Sequence, residues 1–144
     1  MRDTFIVLLV DDEPGDVELT KLAIAESPFR CEIMVAENGM DAMALLRKEG
    51  DHAQARTPDL VLLDLNMPKM NGKEVLRHMK ADPVLAPIPV VVLTTSDVER
   101  DVVATYGLGA AGYITKPVDL EDLFKAIHAV EDYWFNVVRR PQTL

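Results

Sequence analysis

The segment LVLLDLNMPKMNG, residues 60–72, decides the fold. Its first four residues are continuously apolar, which is typical of a strand buried on both faces of a parallel sheet. The apolar run stops at Asp64, and the Asn, Pro and Gly residues after it predict a turn before the next helix. The segment therefore predicts a buried strand with one carboxylate at its carboxyl end.

Other apolar segments of the chain have the same character. They run from Phe5 to Val10, Cys31 to Ala36, Ile88 to Leu93 and Gly112 to Thr115. A helical pattern follows each strand, and the helices are expected to begin near Pro14, Gly39, Gly72, Val98 and Asp119. Strands that alternate with helices predict right-handed βαβ crossovers and a parallel sheet covered by helices on both faces. We therefore predict a doubly wound α/β fold in one domain, residues 1–144.

The last helix departs from this regular pattern. It is predicted to extend from Asp119 to about Val138, before a short tail. Its end, around Tyr133-Trp134-Phe135, is apolar nearly all round, which a solvated helix does not tolerate well. Because an exposed apolar patch usually marks a partner surface, we expect a symmetric homodimer through the C-terminal helix region. The alternative is that Trp134 and Val138 fold back onto the body of the protein.

Composition excludes several classes of function. A formal net charge of -9 argues against a nucleic-acid surface, because phosphate backbones require clustered Lys and Arg. Cys31 is the single cysteine, so no internal disulfide can form and a reducing compartment is expected. No apolar run approaches the length of a membrane span. We therefore predict a cytoplasmic protein that contacts neither nucleic acid nor membrane.

Polar side chains collect where the predicted strands end. Asp11 and Asp12 follow the first strand, Asp64 the third, Thr94 the fourth and Lys116 the fifth. Each alone is an ordinary turn or cap residue, but the carboxyl ends of parallel strands form one functional edge. Clustered carboxylates need a counter-cation, and oxygen ligands suit Mg²⁺. An ammonium and a hydroxyl beside them suit phosphoryl oxygens.

Four runs of sequence resemble the signatures of the response-regulator receiver family. They are LLVDDE (residues 8–13), LVLLDLNMPKMNG (60–72), VVVLTTS (90–96) and GYITKP (112–117). The resemblance covers about residues 5–135. It implies a flavodoxin-like (βα)5 fold with strand order 2-1-3-4-5 and a role in two-component signal transduction.

The resemblance also implies roles in a metal centre. Asp64 would be the phosphoacceptor. Asp11, Asp12 and the backbone carbonyl of Asn66 would hold Mg²⁺ together with Asp64, with Asp12 the more direct ligand and Asp11 acting through water.

Further residues are implied to respond to the phosphoryl group. Thr94 and Lys116 would bond it, and Tyr113 occupies the family's aromatic switch position, with core packing as the alternative. The Lys116–Pro117 peptide bond is expected to be cis.

The implied phosphodonor is a histidine kinase. The run at residues 46–68, the run at 90–102 and the aromatic EDYWFNVV ending (131–138) resemble the single-domain response regulators paired with bacterial and cyanobacterial phytochromes. This closer resemblance implies a phytochrome-type kinase as the partner.

Two other functions stay open from the residues. A phosphohydrolase with an Asp nucleophile needs a second Asp two positions later as general acid, and Asn66 stands there instead. An interaction module that no longer accepts phosphate is the other alternative. We expect a phosphoacceptor switch with self-catalysed chemistry only, and not an enzyme acting on a separate substrate.

Overall fold

The computed structural model describes residues 4–95, 99–116 and 119–137 of the chain. In these ranges strands and helices alternate. They are β1 (Thr4–Val10), α1 (Pro14–Ala25), β2 (Arg30–Ala36), α2 (Gly39–Leu46), β3 (Leu60–Leu63), α3 (Gly72–Ala81), β4 (Val90–Thr94), α4 (Glu99–Gly107), β5 (Gly112–Thr115) and α5 (Leu120–Asp132). The long loop before β3 contains one 3-10 turn, Gly50–His52. Strand β4 begins later than predicted, directly after Pro89, which has no backbone N–H to donate.

All pairs of neighbouring strands are parallel, in the order β2-β1-β3-β4-β5. This confirms the predicted doubly wound, flavodoxin-like fold. The register places Val10 beside both Ala36 and Leu63. The residues that follow these strands therefore meet at one level of the carboxyl edge.

Two apolar layers cover the sheet because alternate side chains of each strand point to opposite faces. On one face α1 and α5 contribute Val17, Ala23, Ile24, Leu123 and Ile127. On the other face α2 and α3 contribute Ala42, Met43, Leu45, Leu46, Val75, Leu76 and Met79. Among the described residues, no helix combines the length and apolar composition that crossing a bilayer requires.

The end of the last helix turns back onto the sheet. After α5 the chain continues as a π-helical turn, Tyr133–Val137. Phe135 stacks on Phe5 with ring centroids 4.1 Å apart, and Trp134 packs against the α1–α5 layer. The fold-back alternative is therefore correct for Trp134. The apolar residues at this end of the helix are partly explained by packing against the body of the protein. Val138 lies outside the described residues, and Tyr133 remains 52% exposed.

Candidate metal centre at the carboxyl edge of the sheet

Three carboxylates meet beyond the ends of β1 and β3. Asp11, Asp12 and Asp64 each offer one oxygen, and these oxygens lie within 4.8 Å of one another. Backbone pairing puts them there, since the Asp64 amide donates to the Val10 carbonyl at 2.9 Å. Asp11 and Asp64 are buried, whereas Asp12 is exposed and leaves the cluster open to solvent. The predicted acidic residues are thus brought together.

Lys116 supplies the positive charge of this edge. Its Nζ donates to Asp11 Oδ2 at 2.6 Å and to Asp16 Oδ2 at 2.9 Å, with only 9% of the side chain exposed. The backbone amide of Lys116 donates to the Thr94 carbonyl at 2.6 Å, which ties the ends of β5 and β4 together. Sequence reasoning missed Asp16 in this role, because it reads simply as an acidic residue in the first turn of α1.

Burial and charge act against each other in this pair. Burial raises the pKa of Asp11, although hydrogen bonds from Lys116 and from the Glu13 amide oppose that rise. Burial alone would lower the pKa of Lys116, but its hydrogen bonds to Asp11 and Asp16 outweigh burial and raise it. Lys116 therefore stays protonated at neutral pH and acts as a fixed counter-charge.

The charge balance of the cluster suits a divalent cation. The oxygens of Asp11, Asp12 and Asp64 lie within 4.8 Å of one another, and the ammonium of Lys116 bonds Asp11 and Asp16. Carboxylate oxygens are the hard ligands that Mg²⁺ prefers, and an open side leaves room for the waters that Mg²⁺ retains. The residues present therefore fit a Mg²⁺ ion held by Asp11, Asp12 and Asp64.

The remaining predicted site residues lie around the cluster. Asn66 is exposed in the loop after Asp64, and its role as a carbonyl ligand remains a prediction. Thr94 is fully buried at the end of β4. Tyr113 is partly buried and packs against the α2–α3 layer, so its movement as a switch remains a prediction. Pro117, and with it the cis bond, lies outside the described residues.

The loop between β3 and α3 is closed tightly behind Asp64. The Gly72 amide donates to the Leu65 carbonyl at 3.0 Å, and Asn71 caps α3 in a reciprocal capping box with Glu74. A Cβ on Gly72 would lie 2.2 Å from the Asp64 carbonyl oxygen. Only glycine permits this approach. The loop geometry therefore fixes the backbone of Asp64.

A cavity of about 530 Å³ opens beside the cluster, between α1, β2 and α2. Asp11 and Asp12 form part of its wall, and His52 reaches it from the 3-10 turn. The sequence contained no signal for this cavity, because its walls come from several separate elements between residues 11 and 52. It gives the acidic cluster a path to solvent.

The 2-1-3-4-5 sheet, with an acidic cluster and a lysine at its carboxyl edge, is the arrangement that the resemblance to the response-regulator receiver family implies. The profile of the response regulator receiver domain matches residues 7–128. The chain belongs to the response regulator receiver family.

Similar proteins share nearly the whole length of the chain. Response regulator Rcp1 of Synechocystis sp. is 42% identical over 136 residues, which are 94% of this chain and 92% of Rcp1.

Solved structures agree with this likeness. The phosphorylated cyanobacterial phytochrome response regulator RcpA superposes with a TM-score of 0.92 at 43% identity, covering 96% of this chain and 99% of RcpA. The Mn²⁺-bound form of Rcp1 superposes with a TM-score of 0.89 at 41% identity, again covering 96% of this chain and 99% of that one.

Proposed function

We propose that this response regulator accepts a phosphoryl group from a histidine kinase on Asp64, in a Mg²⁺ centre formed with Asp11 and Asp12. The observation that carries the proposal is the meeting of three carboxylate oxygens within 4.8 Å, beside a buried ammonium. Neighbouring carboxylates repel each other unless a cation lies between them. The backbone carbonyl of Asn66 is proposed as a further ligand.

The chain's own residues suggest how the transfer would proceed. An Asp64 carboxylate oxygen would attack phosphorus while the bond from phosphorus to the donor's histidine nitrogen breaks, so that the imidazole leaves. A bound Mg²⁺ would neutralise charge on the transferring group. The Lys116 ammonium would act as a point charge for the phosphoryl oxygens. It would either release Asp11 or keep that hydrogen bond while it also donates to the phosphoryl oxygens. The Thr94 hydroxyl would donate a hydrogen bond to the same oxygens, and the Tyr113 side chain would turn inward when Thr94 moves. These movements would change the surface of α4 and β5.

Intact-mass spectrometry after incubation with acetyl phosphate and Mg²⁺ tests this proposal. We expect one phosphoryl adduct on the wild type and none on Asp64→Asn. Asp51→Asn, in the exposed 3-10 turn, is the matched control and should keep the adduct. Omitting Mg²⁺ should suppress the adduct on every variant.

The other outcomes of this experiment identify the alternatives. A chain that takes no phosphate from acetyl phosphate or from a kinase would be the interaction module. Steady release of phosphate from an external phosphomonoester would indicate a phosphohydrolase. Asn66 weighs against the second outcome because its amide cannot serve as the general acid. We therefore propose self-catalysed phosphorylation and dephosphorylation without turnover of a separate substrate.

A phytochrome-type histidine kinase is proposed as the phosphodonor. The support is the match over almost the full chain to a cyanobacterial phytochrome response regulator. Phosphotransfer from a radiolabelled phytochrome kinase should be much faster than transfer from an unrelated histidine kinase at equal concentration. Equal rates from both kinases would contradict the pairing, even if Asp64 were phosphorylated.

We also propose a homodimer through the C-terminal helix region. Tyr133 is 52% exposed beside the folded-back aromatic residues, and on α4 Tyr106 is 49% exposed. Tyr133→Ser should shift sedimentation toward the monomer, whereas Asp51→Ser, in the exposed 3-10 turn after α2, should not. A monomeric wild type at micromolar concentration, with and without phosphorylation, would contradict the dimer.

The wider setting of the protein is a proposal as well. One receiver domain spanning residues 1–144, in the cytoplasm, accords with histidine-kinase signalling. The net charge of -9 supports the absence of nucleic acid among its partners. Contact with a membrane is not proposed.

A further inference from the structure

The loop that follows Asp64 contains an unusual backbone. Lys69 has φ 50° and Met70 has φ 78°, so two consecutive non-glycine residues lie in the left-handed region. Long side chains rarely adopt this conformation. Such a turn persists only where surrounding contacts hold it. The contacts that hold this one come from the first turn of α2.

The β3–α3 loop accepts hydrogen bonds from the first two backbone amides of α2. The Gly39 amide donates to the Met70 carbonyl and the Met40 amide to the Lys69 carbonyl, each at 3.1 Å. The Asp41 amide donates to the capping side chain of Asn38 at 2.8 Å. A helix leaves its first amides without intrahelical partners. Here the β3–α3 loop provides acceptors for two of them.

Gly39 permits this contact by having no side chain. A Cβ at that position would lie 2.1 Å from the Met70 carbonyl oxygen and 2.8 Å from Met70 Cβ. The first of these atoms is backbone, so it cannot rotate away. Any larger residue must push the loop off the helix. The same loop is closed at its base by the bond from Gly72 to Leu65, directly behind Asp64.

We propose that Gly39 is a positioning residue for the metal centre. Because it has no side chain, the start of α2 can hold the tip of the β3–α3 loop, and that loop contains Asn66. The inference rests on the proposed roles of Asp64 and Asn66 in holding Mg²⁺. With the base and the tip of the loop both fixed, Asn66 has little freedom between them. Displacing the tip then loosens Mg²⁺ binding without removing a ligand.

Calorimetric titration with Mg²⁺, well below the melting temperature, tests the proposal on Gly39→Ala. We expect the dissociation constant to rise about tenfold, the lower end of the effect of groups that orient metal ligands. Gly107→Ala is the matched control, because a Cβ there would meet no atom within 4 Å. A purely structural role would lower only the melting temperature and leave the Mg²⁺ affinity of the folded variant unchanged.

A second pair of variants changes the loop residue Met70 instead of Gly39. This pair tests the proposal even if Gly39→Ala does not fold. Met70→Val places a β-branched residue at φ 78°, where it is strongly disfavoured, and should weaken Mg²⁺ binding as Gly39→Ala does. Met70→Gly suits that φ and should keep the wild-type constant within about twofold. An unchanged constant in Met70→Val would overturn the proposal.

The wild type separates this inference from the proposed function. Wild-type protein that binds no Mg²⁺ would overturn the metal centre and the inference together. Wild-type protein that binds Mg²⁺, with an unchanged constant in folded Gly39→Ala, would overturn only the inference.

Discussion

Both edges of the sheet bury carboxyl groups, but they stabilise them in opposite ways. At the carboxyl edge, Asp11 and Asp64 face the ammonium of Lys116 and lie beside solvent-exposed Asp12. At the amino edge, Asp59 is 9% exposed and Glu131 only 2%. At this edge an ammonium bonds the buried carboxylate of Asp11, and exposed Asp12 leaves the cluster accessible to a further cation.

The amino edge provides neutral donors instead. Glu131 Oε2 accepts from Ser27 Oγ at 2.9 Å and from Cys31 Sγ at 3.3 Å, while its Oε1 has no hydrogen-bond partner among the described residues. Burial raises the pKa of Glu131 despite these donors, and burial together with Glu131 raises the pKa of Cys31 to about 12. The His128 ring, which bonds the Ala23 carbonyl, lowers the Glu131 pKa slightly. This edge therefore favours the protonated carboxyl group and an inert thiol.

The comparison separates two uses of a buried carboxyl group. Where a fixed ammonium and an open side are present, the buried carboxyl group has a charged partner and a further cation can reach it. At the amino edge neutral donors take the place of the ammonium, and burial raises the pKa of Glu131. Four predictions test this distinction.

The largest expected effect concerns the fixed cation. Lys116→Met leaves Asp11, Asp16 and Asp64 without their counter-charge, so the free energy of unfolding at pH 7 without Mg²⁺ should fall by about 3 kcal/mol. Urea unfolding measures the loss. Lys125→Met removes one member of an exposed pair with Glu121 and should change stability by about 0.5 kcal/mol or less. Similar losses in both variants would remove the contrast.

The next effect concerns the cluster of three aromatic rings, Phe5, Phe29 and Phe135, near the amino edge. Phe135→Ala removes a ring stacked on Phe5 and edge-on to Phe29, so stability should fall by roughly 2–3 kcal/mol. Tyr133→Ala, on the neighbouring exposed position, should cost under about 1 kcal/mol. Thermal unfolding of both variants checks the order. A greater loss from Tyr133→Ala would show that α5 packs differently.

Glu131→Gln tests protonation at the amino edge. Because the pKa of Glu131 is raised in the folded state, its stabilising contribution is complete below the unfolded pKa, near 4.5, and is lost as pH rises through the folded pKa. Glutamine does not ionise, so the variant should match wild type near pH 4 and become more stable than wild type as pH rises toward 8. Urea unfolding across pH measures this difference. Glu121→Gln, at an exposed position of α5, is the matched control, and a Glu131→Gln protein less stable than wild type at pH 8 would contradict the assignment.

The smallest effect concerns Mg²⁺ itself. An ion that binds only the folded protein stabilises it by mass action. At a free concentration about five times its dissociation constant, it adds about 1 kcal/mol to the free energy of unfolding, or roughly 3 °C to the melting temperature. Relief of repulsion among Asp11, Asp12 and Asp64 is the physical reason. Sodium chloride at matched ionic strength is the control. A melting temperature unchanged by millimolar Mg²⁺ would contradict the metal centre.

Much of the fold was predictable because it follows from local patterns. Apolar runs such as Leu60–Leu63, each ended by a charge or a turn, identified the strands, and the helix starts at Pro14 and Gly39 agree with the structure. The acidic cluster was predictable too, because strand ends in a parallel sheet share one edge. The order of the strands came from the resemblance to a family and not from the patterns themselves.

Contacts between distant segments were beyond sequence reasoning. The bond from Lys116 to Asp16, the anchoring of Met70 by Gly39 and the burial of Glu131 between Ser27 and Cys31 join residues separated by up to about a hundred positions. Each looks ordinary in the sequence, as a helix-dipole acid, a helix-starting glycine or one more polar residue in a helix.

The alternation of strands and helices, the two apolar layers and the residue types at the carboxyl edge follow from the order of residues, since these depend on spacing along the chain. Folding alone sets which group compensates each buried carboxyl group, an ammonium at Asp11 or neutral donors at Glu131. That choice depends on burial and on the nearest donor, and both are set by segments that meet only when the sheet closes around Asp11 at one edge and Glu131 at the other.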